Sequence, residues 1–116
     1  MSRKDAEARG RRGETLAAWW LRLRGWRILA RRARVHAGEV DLVARRGRIV
    51  AMVEVKTRQK AGDLATAIDA HRLRRVAAAA AVIAPRYLRA GDDVRIDVIL
   101  VTGGWRITHL PHVWQP

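Results

Sequence analysis

Residues 38–58 read GEVDLVARRGRIVAMVEVKTR, and this stretch decides the fold. Polar and apolar residues alternate along it, which is the period of a half-buried β-strand. A tight turn at Arg46-Gly47 divides it into two strands. A two-residue hairpin there pairs Arg45 with Arg48, Val43 with Val50, Asp41 with Met52 and Glu39 with Glu54. Paired residues share a face, as do residues two apart along a strand. One face then carries Val40, Leu42, Ala44, Ile49, Ala51, Val53 and Val55 and is wholly apolar. The other carries Glu39, Asp41, Glu54, Lys56 and Arg58 over a floor of Val43, Val50 and Met52. Carboxylates so crowded repel and raise each other's pKa. A divalent cation would resolve that conflict.

The acidic end of the hairpin is therefore the candidate site. Glu54 and Lys56 project side by side, about 6.6 Å apart along the strand. Asp41 is diagonal to Glu54 across the ladder, within reach of a shared ion. Two carboxylates, waters and a substrate phosphate make an ordinary Mg²⁺ site, and the Val55 carbonyl can add a ligand. Such an ion polarises a phosphate oxygen and acidifies a bound water. Lys56 is placed to orient that water or to stabilise charge developing on phosphorus. Glu14 or Glu39 could complete the shell. The competing account is a set of salt bridges on an exposed sheet face, which contribute little to stability. A three-residue turn would put Asp41 on the face opposite Glu54 and remove the site.

Bulk composition narrows the function. The 116 residues fit one domain, and 49% hydrophobic content supports a packed core. The absence of cysteine excludes disulfides and thiolate metal sites. No apolar run is long enough to span a membrane, and the first residues lack an apolar signal core, so a cytoplasmic protein is expected. Lys+Arg number 24 against 11 Asp+Glu, a net charge of +13. That surplus suits a polyanion, most simply nucleic acid. Arginine-rich codon usage would explain arginine over lysine but less readily the excess over acids.

The remaining chain supplies the frame. Residues 1–12 read as a flexible basic tail, and 13–116 as a single domain. Gly13 to Arg24 has helical spacing, with Gly25 as its stop. Glu14 lies in the first turn of that helix, where a carboxylate suits the helix dipole or leans toward the acidic face. Trp26 to Val35 is a strand with outward Arg27, Arg31, Arg32 and Arg34. Residues 59–67 form a loop into a long Ala-rich helix between Ile68 and Leu88, interrupted at Pro85. Asp93 to Thr102 is a strand, and Gly103-Gly104 turns it into a last strand, Trp105 to His109. The order is α-β-β-β-α-β-β. A helix between the third and fourth strands makes a crossover, so an α/β layered domain with a mixed sheet flanked by helices is expected. Arg58, Arg72, Arg74 and Arg75, near the Lys56 end, are the candidate phosphate contacts. Trp20, Trp26 and Trp105 are assigned to packing, and the four histidines show no metal-ligand spacing.

Asp41 followed by Glu54-Val55-Lys56 resembles the core of PD-(D/E)xK nucleases, and Glu14 on the first helix resembles archaeal Holliday-junction resolvases. The whole chain resembles the YraN-type family of small bacterial proteins. The matching pieces are Gly13-Glu14, Gly25-Trp26, GEVDLVA at 38–44, VEVKTR at 53–58 and RIDVILV at 95–101. The resemblance implies a restriction-endonuclease-like fold and a metal-dependent endonuclease acting on DNA, with branched or damaged DNA among its candidate substrates. It implies Asp41 and Glu54 as metal ligands, Lys56 as catalytic lysine, and Glu14 as a further ligand, with Mg²⁺ or Mn²⁺ as cofactor. A homodimer follows by analogy with junction-cutting relatives alone. Val40, Met52 and Arg72 depart from the pattern. The alternative is a nucleic-acid-binding protein that keeps the fold without catalysis.

Overall fold

A computed structural model describes residues 3–58 and 69–114. Its elements are α1 (Arg3–Leu23), β1 (Arg27–Val35), β2 (Gly38–Arg46), β3 (Ile49–Arg58), α2 (Ala70–Ile83), a short 3₁₀ turn (Ala84–Arg86), β4 (Asp93–Thr102) and β5 (Arg106–Leu110). This is the expected order. The loop expected over 59–67 lies outside the described residues. α1 begins at Arg3, so residues 3–12 continue the helix where a tail was expected. Charged residues carry no apolar signal, and the periodicity that marks a helix begins only at Leu16.

The sheet has five strands in the order β1-β2-β3-β4-β5. Only the β3–β4 pair is parallel; the others are antiparallel. A parallel pair needs a crossover, and α2 supplies it. Asp69 caps that helix, its carboxylate accepting from the His71 N–H at 3.0 Å.

Among the described residues, one helix covers each face of the sheet. On the α1 side, Ala17, Ala18, Leu21 and Trp26 pack on Leu42, Ala44, Ala51, Val53, Ile99 and Val101. On the α2 side, Leu73, Val76, Ala79 and Ile83 pack on Val43, Val50, Met52, Ile96, Val98 and Leu100. Val43, Val50 and Met52, the apolar floor beneath the charged cluster, are therefore core. Only the end of that face, beyond Met52, is left for chemistry.

The hairpin register is slipped by two residues from expectation. Arg46 pairs with Ile49, Arg45 with Val50, Val43 with Met52 and Leu42 with Val53. The turn is therefore Gly47-Arg48, with Gly47 at the first central position and a left-handed φ of 60°. Type II′ hairpins place glycine there, because that conformation matches the right-handed strand twist. A slip of two keeps every side chain on its face, whereas a slip of one would have exchanged the faces. Asp41 now stands one step beyond Leu42 and Glu54 one step beyond Val53, so the two are level rather than diagonal.

Asp41 also sits at an irregularity. The β1–β2 ladder runs through Arg31–Leu42 and Ala33–Val40 but omits Arg32. Arg32 takes a left-handed φ of 51°. Val40 joins the α2-side cluster, whereas Leu42 belongs to the α1 side. The expected apolar face thus ends at Leu42, and β2 changes phase across Asp41.

Candidate active site at the end of the hairpin

Strand alternation puts Glu54 and Lys56 on one face, and the structure brings them into contact. Lys56 Nζ lies 2.9 Å from Glu54 Oε1, and both side chains are buried. Arg72, from the first turn of α2, donates its Nε to the same oxygen at 3.0 Å. Glu54 is therefore held by two cations from two elements. Burial pulls the Lys56 ammonium below its ordinary value, while the Glu54 carboxylate acts in the other direction.

Asp41 faces the same end of the sheet. Its Oδ2 accepts the Val55 N–H at 2.8 Å, so its carboxylate takes the place of a ladder hydrogen bond where β2 leaves β3. Burial, then the Glu54 charge, push its carboxyl up to about 7, against the opposing Val55 hydrogen bond. Glu14 and Glu39 add to the rise. The four acidic residues named from the sequence thus share one electrostatic neighbourhood.

They do not share one ligand set. Glu14 lies on α1, which covers the opposite sheet face, and its Oε1 accepts from Arg32 Nε at 2.8 Å. Glu39 meets Arg34 at 3.5 Å and does not pair with Glu54. Among the described residues, no group of three or more His, Cys, Asp or Glu side chains is assembled to hold a metal ion. The pair that remains, Asp41 and Glu54, together with the carbonyl of Val55, the residue after Glu54, offers oxygen donors only. Such donors suit a hard divalent cation that keeps several waters. The raised Asp41 carboxyl is the conflict that a cation would remove. The residues present therefore fit Mg²⁺ or Mn²⁺ as a two-carboxylate site.

The arginines divide. Arg74 and Arg75 are exposed on α2. Arg72 is exposed over 59% of its side chain while its Nε holds Glu54, so it reaches both solvent and site. Arg58 is half-buried and donates Nη1 to the Thr57 carbonyl at 2.8 Å. Trp26 is core, but Trp105, assigned to packing, is 73% exposed at the β4–β5 turn. Two adjacent glycines in the left-handed region, Gly103 and Gly104, form that turn immediately before the indole.

Sequence reasoning missed a second buried carboxylate. Asp97 on β4 is fully buried. It accepts from Arg95 Nε at 2.9 Å and from the His112 N–H at 3.0 Å, and its Oδ2 lies 2.7 Å from His109 Nε2. Trp20 and Trp26 pack edge-on against the His109 ring. This cluster ties β5 and the C-terminal segment to β4. The only sequence signal was an aspartate inside an apolar strand, RIDVILV.

The family model described as "Uncharacterised protein family UPF0102" matches residues 13–101. The chain is 64% identical over 116 residues to a UPF0102 protein of Sphingopyxis alaskensis, covering 100% of both chains. It is 60% identical over 113 residues to one from Rhizorhabdus wittichii, covering 97% of this chain and 96% of that one. A third similar protein, from Erythrobacter litoralis, is 53% identical over 116 residues and is covered completely.

Proposed function

The chain belongs to the UPF0102 family, and from its site we propose that it is a metal-dependent endonuclease of the restriction-endonuclease-like fold that hydrolyses DNA phosphodiester bonds. The observation that carries this reading is the meeting of Asp41, Glu54 and Lys56 at one sheet end in a chain of charge +13. A pair of coupled carboxylates beside a buried lysine is costly unless it serves a ligand. Asp41, Glu54 and the Val55 carbonyl would hold a divalent ion, with Glu14 available once Arg32 releases it. Bound there, Mg²⁺ or Mn²⁺ would supply a Lewis acid for the scissile phosphate and lower the pKa of water. Lys56 would orient the nucleophile and neutralise charge developing on phosphorus. Arg58, Arg72, Arg74 and Arg75 would grip flanking phosphates, and branched or damaged DNA is the proposed substrate class. A homodimer remains part of this reading by analogy alone.

The test is cleavage of branched, single-stranded and duplex DNA with Mg²⁺ or Mn²⁺. Asp41→Ala and Lys56→Ala should abolish cutting while sparing DNA binding. Wild-type cutting by both variants overturns these roles. A second reading, a nucleic-acid-binding protein without catalysis, is favoured by one observation. Both Lys56 and Arg72 already neutralise Glu54. It predicts salt-dependent DNA binding with no cleavage at millimolar metal.

A further inference from the structure

A cleft of about 760 Å³ lies between α1 and the ends of β3 and β4, and Arg58 is the one described residue it shares with the site proposed above. Among the described residues, three arginines, Arg11, Arg12 and Arg58, line it and no carboxylate does. Leu16 and Val101 supply an apolar floor, and the Gly103-Gly104 turn forms one wall. The next residue, Trp105, stands 73% exposed. We infer that this cleft seats a short run of single-stranded nucleic acid, with phosphates on the arginines and a base stacked on Trp105. The inference rests on the nucleic-acid reading above and adds to it the place and strandedness of the substrate.

The chemistry of the walls selects that ligand. Guanidinium groups without carboxylates call for an anion. An apolar floor calls for something more than phosphate. An exposed indole beside a basic groove is the stacking platform of sequence-tolerant single-strand binders. The volume is that of a small-molecule pocket, which a splayed strand can enter and a stacked duplex cannot.

The cations are available for binding. Arg12 has no ion-pair partner among the described residues, and Arg11 meets Glu7 only at 3.8 Å on the surface. Among the same residues, Arg58 is bonded only to a backbone carbonyl. Thr15 is engaged: its hydroxyl donates to the Arg11 carbonyl at 3.0 Å and accepts from Arg31 Nη2 at 3.0 Å, which adds a further cation beside the cleft.

Position links the cleft to the candidate site. Thr57 lines the cleft, and Lys56, its neighbour, faces the other side of β3 because successive side chains alternate. A strand leaving the cleft around the end of β3 arrives at Glu54 and Lys56. A frayed or branched DNA end offers such a strand.

The experiment measures binding of a fluorescent short oligothymidylate and of a duplex of equal length, without divalent metal, across a salt series. Circular dichroism confirms folding of Arg12→Glu, Arg58→Glu and Trp105→Ala. Wild-type protein should bind the single strand at least tenfold more tightly than the duplex. Trp105→Ala should weaken it about tenfold. Each arginine reversal should weaken it at least tenfold and flatten the salt slope by about 0.7 for each phosphate no longer neutralised. Equal affinity for duplex, or variants that bind as wild type does, overturns the inference. Cleavage by wild-type protein with metal is scored separately. Cutting with unaltered binding in the variants sinks the cleft alone, whereas cleft binding without cutting sinks the catalytic reading alone.

Discussion

Lys56 Nζ lies 2.9 Å from Glu54 Oε1, with both side chains buried and Arg72 closing on the same oxygen. The two-residue spacing forces the first two onto one face, so their proximity is a local consequence of strand geometry. Their burial is not local. It follows from β4 lying beside β3 and from α2 covering the face, which strip water from both charges and make each dependent on the other.

Truncating one partner should therefore be worse than neutralising both. Lys56→Ala leaves Glu54 with Arg72 alone and should lower stability by about 2 kcal/mol in urea unfolding. Glu54→Gln with Lys56→Met should recover most of that loss. Strict additivity of the two single substitutions would show that the pair is not coupled.

Asp41 should cost stability in metal-free protein at neutral pH. Its folded pKa is raised to about 7, above an unfolded value of about 3.9. The folded state then holds the extra proton, so stability falls as pH rises from about 4 to about 7 and is level above that. Asp41→Asn keeps an oxygen for the Val55 N–H and removes the charge. It should raise the melting temperature by roughly 4–8 °C at pH 8, about 1–2 kcal/mol, and leave it nearly unchanged at pH 4. An unchanged melting temperature at pH 8 would count against the raised carboxyl.

Asp97 should behave in the opposite sense. Burial alone would raise its pKa, but hydrogen bonds from His109, the His112 backbone and Arg95 outweigh it and hold the carboxyl below its ordinary value. A depressed folded pKa adds stability above the unfolded value, about 3.9, which is lost as pH falls through the folded one. Asp97→Asn should cost about 3 kcal/mol at pH 7. Its cost should shrink in acid, and amide exchange should quicken first in β5. Uniform exchange changes across the sheet would show that the cluster does not anchor that strand.

Gly13 marks where α1 presses on β3. A Cβ there would overlap Thr57 Cγ2. Glycine to alanine in a free helix stabilises by about 1 kcal/mol. Here Gly13→Ala should instead destabilise by about 1–2 kcal/mol. Thr57→Ala should restore stability in the double variant, because the remaining Cβ contact at 3.8 Å is ordinary packing. A stabilising Gly13→Ala single variant would show that α1 is free to shift.

Much of this is legible in the chain. Alternation locates β2, β3 and β4, helical spacing locates both helices, and the crossover makes the sheet mixed. The two faces survive a register error because side chains repeat every two residues and the slip is two. Residues 3–12 read as a tail because a helix of charged residues and a charged tail look alike in sequence. The phase change at Val40 is hidden because local sequence cannot show that Arg32 turns left-handed opposite Asp41.

Local spacing is enough to put Glu54 and Lys56 on one face near the end of a strand, because rise along a strand is covalent and alternation is steric. Whether Asp41 joins them depends on the hairpin register and on the phase change at Val40. The tertiary structure alone decided their state. Coverage of both faces by helices buries Glu54 and Lys56 and raises Asp41. Placement of α1 on the opposite face gives Glu14 to Arg32. Docking of β4 beside β3 opens the arginine-lined cleft and makes Asp97 a buried anchor. Desolvation and pairing depend on which distant segments arrive, and no local pattern encodes that.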